Sequence, residues 1–242
     1  MYSDPQDKLS DLFVLENIHQ DYWDRSDYEI LRHAAETFVP DHQEMTCFDF
    51  GAGRGRLIPV LTDLFDMTVG YEPDPKRFRD LSIKARELSL NHKYHPLNSI
   101  DKYSISHDVV VCSHVFQHLT ESSIAACIST IQENILRKHR PLIVLTSASD
   151  SPACYLVSQV DEKVSAMAVC IEEFEERCAY PIDGLLPVRH FEISWLVRYL
   201  ESKSLVLNDC IRYREFNFDI KQESNDNVTG KASDIALVLY YE

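Results

Sequence analysis

Three of the chain's six glycines, Gly51, Gly53 and Gly55, fall within five residues, in the segment CFDFGAGRGRL. They follow one apolar run and open a helical pattern. Glycines in that place let the backbone turn tightly and come close to a ligand, with the N-terminus of the next helix nearby. About twenty residues further on, a second apolar run ends in VGYEPDP. Glu72 then stands at the carboxyl end of a strand, where open α/β sheets bind ligands. A carboxylate there can accept hydrogen bonds from both hydroxyls of a ribose. Glu72 does not choose between cofactors, because dinucleotide enzymes use a similar acid. The glycine spacing does choose: a G-x-G-x-x-G fingerprint counted from Gly51 needs glycine at 56, where Arg56 stands.

The elements that must position these residues follow from the hydrophobic pattern. MTCFDF (45–50), 67–72, 93–97, DVVVCS (108–113) and PLIVLTS (141–147) read as five strands. Helices are predicted over 56–65, from Pro75 to about Leu90, and over 121–138. The continuous apolar run of 108–113 suits a strand covered on both faces. Such alternation means a doubly wound, mostly parallel α/β sheet. Residues 1–44 read as two amphipathic helices, one carrying Leu9, Leu12 and Phe13, the other Tyr28, Leu31 and Ala35, ending at Pro40. A helical, mixed-character insertion is expected over 148–190. A further helix covers 191–201. Two β-rich stretches, 205–218 and 234–241, are separated by a polar linker (221–233) and predict an antiparallel pair.

With its leading acid the turn reads D-x-G-x-G-x-G from Asp49. In this strand–turn–helix setting it resembles motif I of the class I S-adenosylmethionine-dependent methyltransferases, which are Rossmann-like. The resemblance covers residues 45–147 by motif and 191–242 by topology. It implies a seven-stranded sheet of order 3-2-1-4-5-7-6 with strand 7 antiparallel. It implies S-adenosylmethionine as cofactor and S-adenosylhomocysteine as product. The backbone of Gly51, Ala52 and Gly53 would pass beneath the methionine and ribose portions, and Asp49 would orient the turn and meet the amino group. Glu72, with Pro73 beside it, would hold the ribose. Asn98 takes the place of the usual acid near the adenine amine, with Ser99 and Ile100 flanking the ring. The segment CSHVFQHL (112–119) would lie beside the transferred methyl, making Ser113, His114, Gln117 and His118 candidates for cofactor or substrate contact. Of the two histidines, His114 is the better candidate for a general base and His118 the more structural.

Composition narrows the acceptor. With 39 acidic against 24 basic residues the formal charge is −15, and no basic track appears. Nucleic acid is disfavoured on that ground. The Asn/Asp/Ser-Pro-Pro-aromatic motif of amino-methylating nucleic-acid enzymes is missing after strand four, and Cys112 lacks the preceding proline of a cytosine-ring nucleophile. A small-molecule acceptor is expected, entering under a lid made by residues 1–44 and 148–190. Tyr22, Trp23, Tyr155, Arg189 and His190 are its polar-aromatic candidates. Methylation of a protein or tRNA, or a non-catalytic methyltransferase-like partner subunit, is the alternative. No run approaches the ~20 apolar residues that span a bilayer, and MYSDPQDKLSD has no signal-peptide pattern. The seven scattered cysteines form no CxxC pair, so reduced thiols in a cytoplasmic protein are expected, without a metal site. Oligomeric state is left open.

Overall fold

The computed structural model describes residues 20–100, 106–149, 153–160, 164–180, 185–221 and 227–242. The helix expected around Leu9–Phe13 and the side chains of Tyr22 and Trp23 lie outside what is described. Five strands, β1 (Thr46–Phe50), β2 (Met67–Tyr71), β3 (Tyr94–Leu97), β4 (Val109–Ser113) and β5 (Pro141–Ser149), pair in parallel in the order β3-β2-β1-β4-β5. Helices α1 (Gln20–Phe38), α2 (Ile58–Leu64), α3 (Pro75–Glu87) and α4 (Glu121–Thr130) accompany them, α4 running on into a π turn at Ile131–Ile135. β4 shows why its sequence is apolar throughout. Val110 and Cys112 join the cluster of Phe48, Ile124 and Leu196, while Val109 and Val111 join that of Leu31 and Leu61 on the opposite face. Both faces are covered over Val109–Cys112, and the one polar residue, Ser113, comes at the half-buried carboxyl end.

After β5 come β6 (Cys154–Val160), β7 (Val164–Ala168), α5 (Ile171–Ala179), β8 (Leu185–Glu192), α6 (Ile193–Glu201), β9 (Leu205–Lys221) and β10 (Asn227–Tyr241). β10 lies antiparallel between β5 and β9. The run β3-β2-β1-β4-β5-β10-β9 is therefore the expected seven-stranded order with its last strand reversed. The insertion corrects the sequence reading. One helix, α5, is present, but β6, β7 and β8 are strands. β6 pairs with β7 and β8, β8 with the end of β5 at Ala148↔Phe191, and β7 with β9 at Ala166↔Ile220. β6 and β7 form a local hairpin, but the partners that hold it, β8 for β6 and β9 for β7, are distant in sequence, and a local pattern cannot express that. The expected linker over 221–233 is likewise shorter, because the β9–β10 ladder continues to Lys221↔Asn227. Backbone hydrogen bonds sustain such a ladder without apolar side chains. The pairings β5–β10–β9–β7–β6–β8–β5 close a ring of six strands at the carboxyl end of the sheet.

Among the described residues no helix is long and apolar enough to cross a membrane. All seven cysteines are free, with Cys47 and Cys112 buried in the core.

Candidate functional site

The glycine turn is tied to β2. The backbone N–H groups of Gly51 and Ala52 both donate to the Tyr71 carbonyl, at 3.0 and 2.8 Å. All three turn glycines have positive φ, 79°, 56° and 81°. Their surroundings differ. A Cβ at Gly51 would lie 2.5 Å from Val115, and one at Gly55 would lie 2.6 Å from Ile58 and 2.8 Å from Leu81; at Gly53 it would meet nothing within 4 Å. The first and third glycines thus accommodate the fold, while Gly53 faces open space.

Glu72 is buried and reaches back to this turn. Its Oε2 accepts from the Gly53 N–H and its Oε1 from the Asp74 N–H, both at 2.9 Å. Asp74 is itself fixed as the N-cap of α3, its Oδ1 accepting from the backbone of Lys76 and Arg77 at 3.0 and 2.8 Å. Pro73 and Pro75 restrict the chain on either side of it. The Glu72 pKa is raised by burial, against the pull of the Asp74 N–H, Arg77 and the Gly53 N–H. The Glu72 N–H donates to the Leu97 carbonyl at 2.9 Å, so the segment after β3 begins beside this acid. Asn98 and Ser99 follow there, both exposed.

Asp49 lies beneath the turn, buried, with Oδ2 accepting the Tyr94 hydroxyl at 2.9 Å. Its carboxyl is pushed up to about 7 by burial; the Tyr94 hydrogen bond and Arg56 pull it down, and Glu72 pushes it up. Tyr94 reaches Asp49 across β2 only because residue 70 is glycine: a Cβ there would sit 1.9 Å from the Tyr94 hydroxyl.

The loop after β4 holds a polar network. Arg56 Nη2 donates to Ser113 Oγ at 3.3 Å, and Arg56 Nη1 pairs with Asp27 at 2.6 Å. Asp27, on α1, also accepts from Tyr213 Oη at 2.8 Å, faces His114 Nε2 at 3.3 Å, and lies 3.6 Å from Arg214. Arg214 in turn pairs with buried Asp234, which accepts from Ser147 Oγ at 2.6 Å. Burial alone would raise Asp27, but the charge and hydrogen bond of His114, with Arg56 and Arg214, hold it far below the usual range.

His114 sits at φ 55°, a strained backbone for a residue with a side chain. Both of its ring nitrogens face acceptors. Gln117 Oε1 takes the Ser147 N–H at 3.0 Å, which fixes that oxygen toward His114 Nδ1 at 3.1 Å. Nδ1 therefore donates, and Nε2 donates to Asp27. Burial would lower the pKa of this ring, but Asp27 outweighs it and holds His114 above its ordinary value. Both nitrogens of His114, the candidate base, are thus directed at acceptors within the protein. His118 Nδ1 donates to the Pro187 carbonyl at 2.8 Å, and burial depresses this ring to about 4. It is neutral and weakly basic.

The sequence reading missed Asp27, Tyr213, Arg214 and Asp234, and noted Arg56 only for breaking a fingerprint. One signal was present: Asp27, Leu31 and Ala34 share a helix face, so an acid interrupts an apolar stripe.

No family model matches the sequence, and no curated protein matches it. Solved structures match it by fold. The glycopeptide N-methyltransferase MtfA complexed with S-adenosylhomocysteine is 12% identical with TM-score 0.59, covering 90% of this chain and 89% of that one. An S-adenosylmethionine-dependent methyltransferase from Clostridium acetobutylicum is 14% identical with TM-score 0.58, covering 97% and 98%. The 1,6-didemethyltoxoflavin-N1-methyltransferase of Burkholderia thailandensis is 12% identical with TM-score 0.54, covering 92% and 89%. The chain spans less of some others: 62% of TehB from Haemophilus influenzae and 50% of the mitomycin 7-O-methyltransferase MmcR. The strand order, the turn after β1 and these likenesses agree on one architecture: the chain has the Rossmann-like fold of the class I S-adenosylmethionine-dependent methyltransferases.

Proposed function

We propose that the protein transfers a methyl group from S-adenosylmethionine to a small-molecule acceptor. One observation carries this reading: the open space over Gly53, in a turn whose N–H is held by the buried Glu72 carboxylate. A turn built to keep a side chain out, beside an acid with lone pairs to spare, fits the ribose and methionine portions of the cofactor. Gly51, Ala52 and Gly53 would line the cofactor's path and Asp49 would sit beneath it. Glu72 and Pro73 would take the ribose side, Asn98 and Ser99 the adenine side, and Ser113 the sulfur side. The cofactor, when bound, supplies a methyl already activated by a positive sulfur.

The chain's own task is then alignment and exclusion of water. His114 acts as a donor that locks the loop to α1, and His118 anchors the same loop to β8. With both His114 nitrogens facing acceptors and the His118 ring depressed to about 4, the reading favours an acceptor whose nucleophilic atom arrives unprotonated. The acidic surface favours a small acceptor over nucleic acid. MtfA and the Burkholderia enzyme, named for a glycopeptide and for 1,6-didemethyltoxoflavin, support an acceptor other than nucleic acid. α1 and the β6–β8 insertion would cover it.

The test is calorimetry with S-adenosylhomocysteine and with NAD. Binding of the first and not the second is expected. NAD binding without a response to S-adenosylhomocysteine would overturn the reading.

A further inference from the structure

Arg189 on β8 is 4% exposed. Among the described residues no carboxylate pairs with its guanidinium, and its buried Nε has no hydrogen-bond partner. Aromatic rings surround it instead. The guanidinium carbon lies 4.0 Å from the centre of the Trp195 ring, 4.6 Å from Phe191 and 5.2 Å from Tyr155. Trp195 is stacked on Phe191 and on Tyr199, with interplanar angles of 10° and 9°. These rings satisfy the faces of the cation through their π-electrons. They do nothing for its N–H donors, which lie in the guanidinium plane and point out along its edges. Buried donors in native proteins are paired with few exceptions, and an exception calls for an explanation. Among the described residues this cation has no acceptor in its own plane at Nε, and a carboxylate fits that edge with two parallel hydrogen bonds. Glu121 and Glu175 attract it electrostatically from exposed positions, and neither forms an ion pair with it.

Its location gives the vacancy a use. Arg189 stands two residues after Pro187 on β8, one same-face step of about 7 Å along the strand. The Pro187 carbonyl holds His118, whose own carbonyl accepts from Cys178 of α5 at 3.4 Å. The aromatic cage therefore adjoins the loop after β4, at the sheet end where β8 meets β5.

We propose that Arg189, framed by Trp195, Phe191 and Tyr155, recognises a carboxylate of the methyl acceptor. That the anion belongs to an acceptor rests on the methyltransferase reading; the anion site itself does not. Trp195 supplies a readout independent of turnover. The chain has two tryptophans, so the full-length Trp23→Phe variant emits from Trp195 alone. It is titrated with benzoate and benzamide, and with acetate and acetamide, in saturating S-adenosylhomocysteine. At least one carboxylate is expected to change the Trp195 emission and to bind about tenfold or more tightly than its amide, a preference near 1.4 kcal/mol. In Arg189→Met the preference should fall to about one. Arg189→Lys, which keeps the charge and loses the fork, should retain a fraction of it, and decides the matter if the methionine variant does not fold. Equal affinities for acid and amide, or a preference undiminished in both variants, would overturn the proposal. Loss of the preference with S-adenosylhomocysteine binding intact removes the anion site alone. The preference without any S-adenosylhomocysteine binding keeps the site and removes the methyltransferase reading.

Discussion

A methyl group added at Gly53 would touch no protein atom, whereas at Gly51 or Gly55 it would collide with packed side chains. The three turn glycines should therefore separate on mutation. Gly53→Ala is expected to cost about 1–2 kcal/mol of stability from its positive φ and to abolish S-adenosylhomocysteine binding in calorimetry. Gly51→Ala and Gly55→Ala should lower the melting temperature further, because backbone strain and collision add. A Gly53→Ala protein that binds normally would remove the turn from the cofactor site. Glu72 needs a paired test, since its carboxylate also holds the turn through the Gly53 N–H. Glu72→Gln keeps one of the two acceptor oxygens and should lose roughly 1.5–3 kcal/mol of S-adenosylhomocysteine affinity, with a loss of stability from the one backbone N–H left facing its amide nitrogen. Glu72→Ala should lose more stability than Glu72→Gln, by leaving both the Gly53 and the Asp74 N–H groups unpaired. Both features were legible in the sequence because glycine spacing and a strand-end acid are local signals. The donor role of His114 was not legible. It depends on Asp27 lying 87 positions upstream and on the orientation of Gln117.

α1 is fastened to the site by charge as much as by its apolar face. Ile30, Leu31, Ala34 and Ala35 bury against the core, and Asp27 joins the helix to Arg56, His114 and Tyr213. Removing the acid leaves the part-buried Arg56 and His114 without this partner, while buried Arg214 keeps Asp234; breaking a fully buried pair costs about 3–5 kcal/mol, an upper bound here. Asp27→Ala should lower stability by less than that, and amide hydrogen exchange should show α1 opening first. The His114–Asp27 pair also has a pH sign. The folded His114 pKa lies above the unfolded one, so its stabilisation is complete below about pH 6.5 and is lost as pH rises through the folded value. Exchange of α1 amides, corrected for the intrinsic pH dependence, should quicken over that rise in the wild type and not in Asp27→Asn. The sequence showed α1 as an amphipathic helix. It did not show what the polar end grips, because Tyr213 and Arg214 lie more than 180 residues away on β9. The strand β8 was hidden for a related reason, its partners β5 and β6 being set by three-dimensional closure.

At the scale of the molecule, buried histidines set the acid limit. Burial depresses His107, His118 and His190 to about 4, below their unfolded values. Such groups stabilise the fold above the unfolded pKa, and that contribution is lost as pH falls from about 6.5 to about 4. Asp49, raised to about 7, works in the opposite direction over much of this range, because the native state keeps its proton while the unfolded chain has lost it. Three histidines less one carboxylate leave a net uptake of about two protons on unfolding near pH 5. Thermal unfolding across pH 4–7 should show stability falling toward acid. Asp49→Asn should steepen that fall and His118→Asn should flatten it. Coincident curves for all three proteins would refute the assignment.

The place of β10 also bears on synthesis. It fills the gap between β5 and β9, and it contributes Asp234 to hold Arg214. Until residues 227–241 have emerged from the ribosome, the long apolar edge of β5 has no neighbour on that side. A nascent chain stalled before them would present an open strand edge suited to pairing with other chains. The gap admits one more strand in antiparallel sense, so a peptide copying 227–241 supplied in trans should rescue such a truncated chain from aggregation.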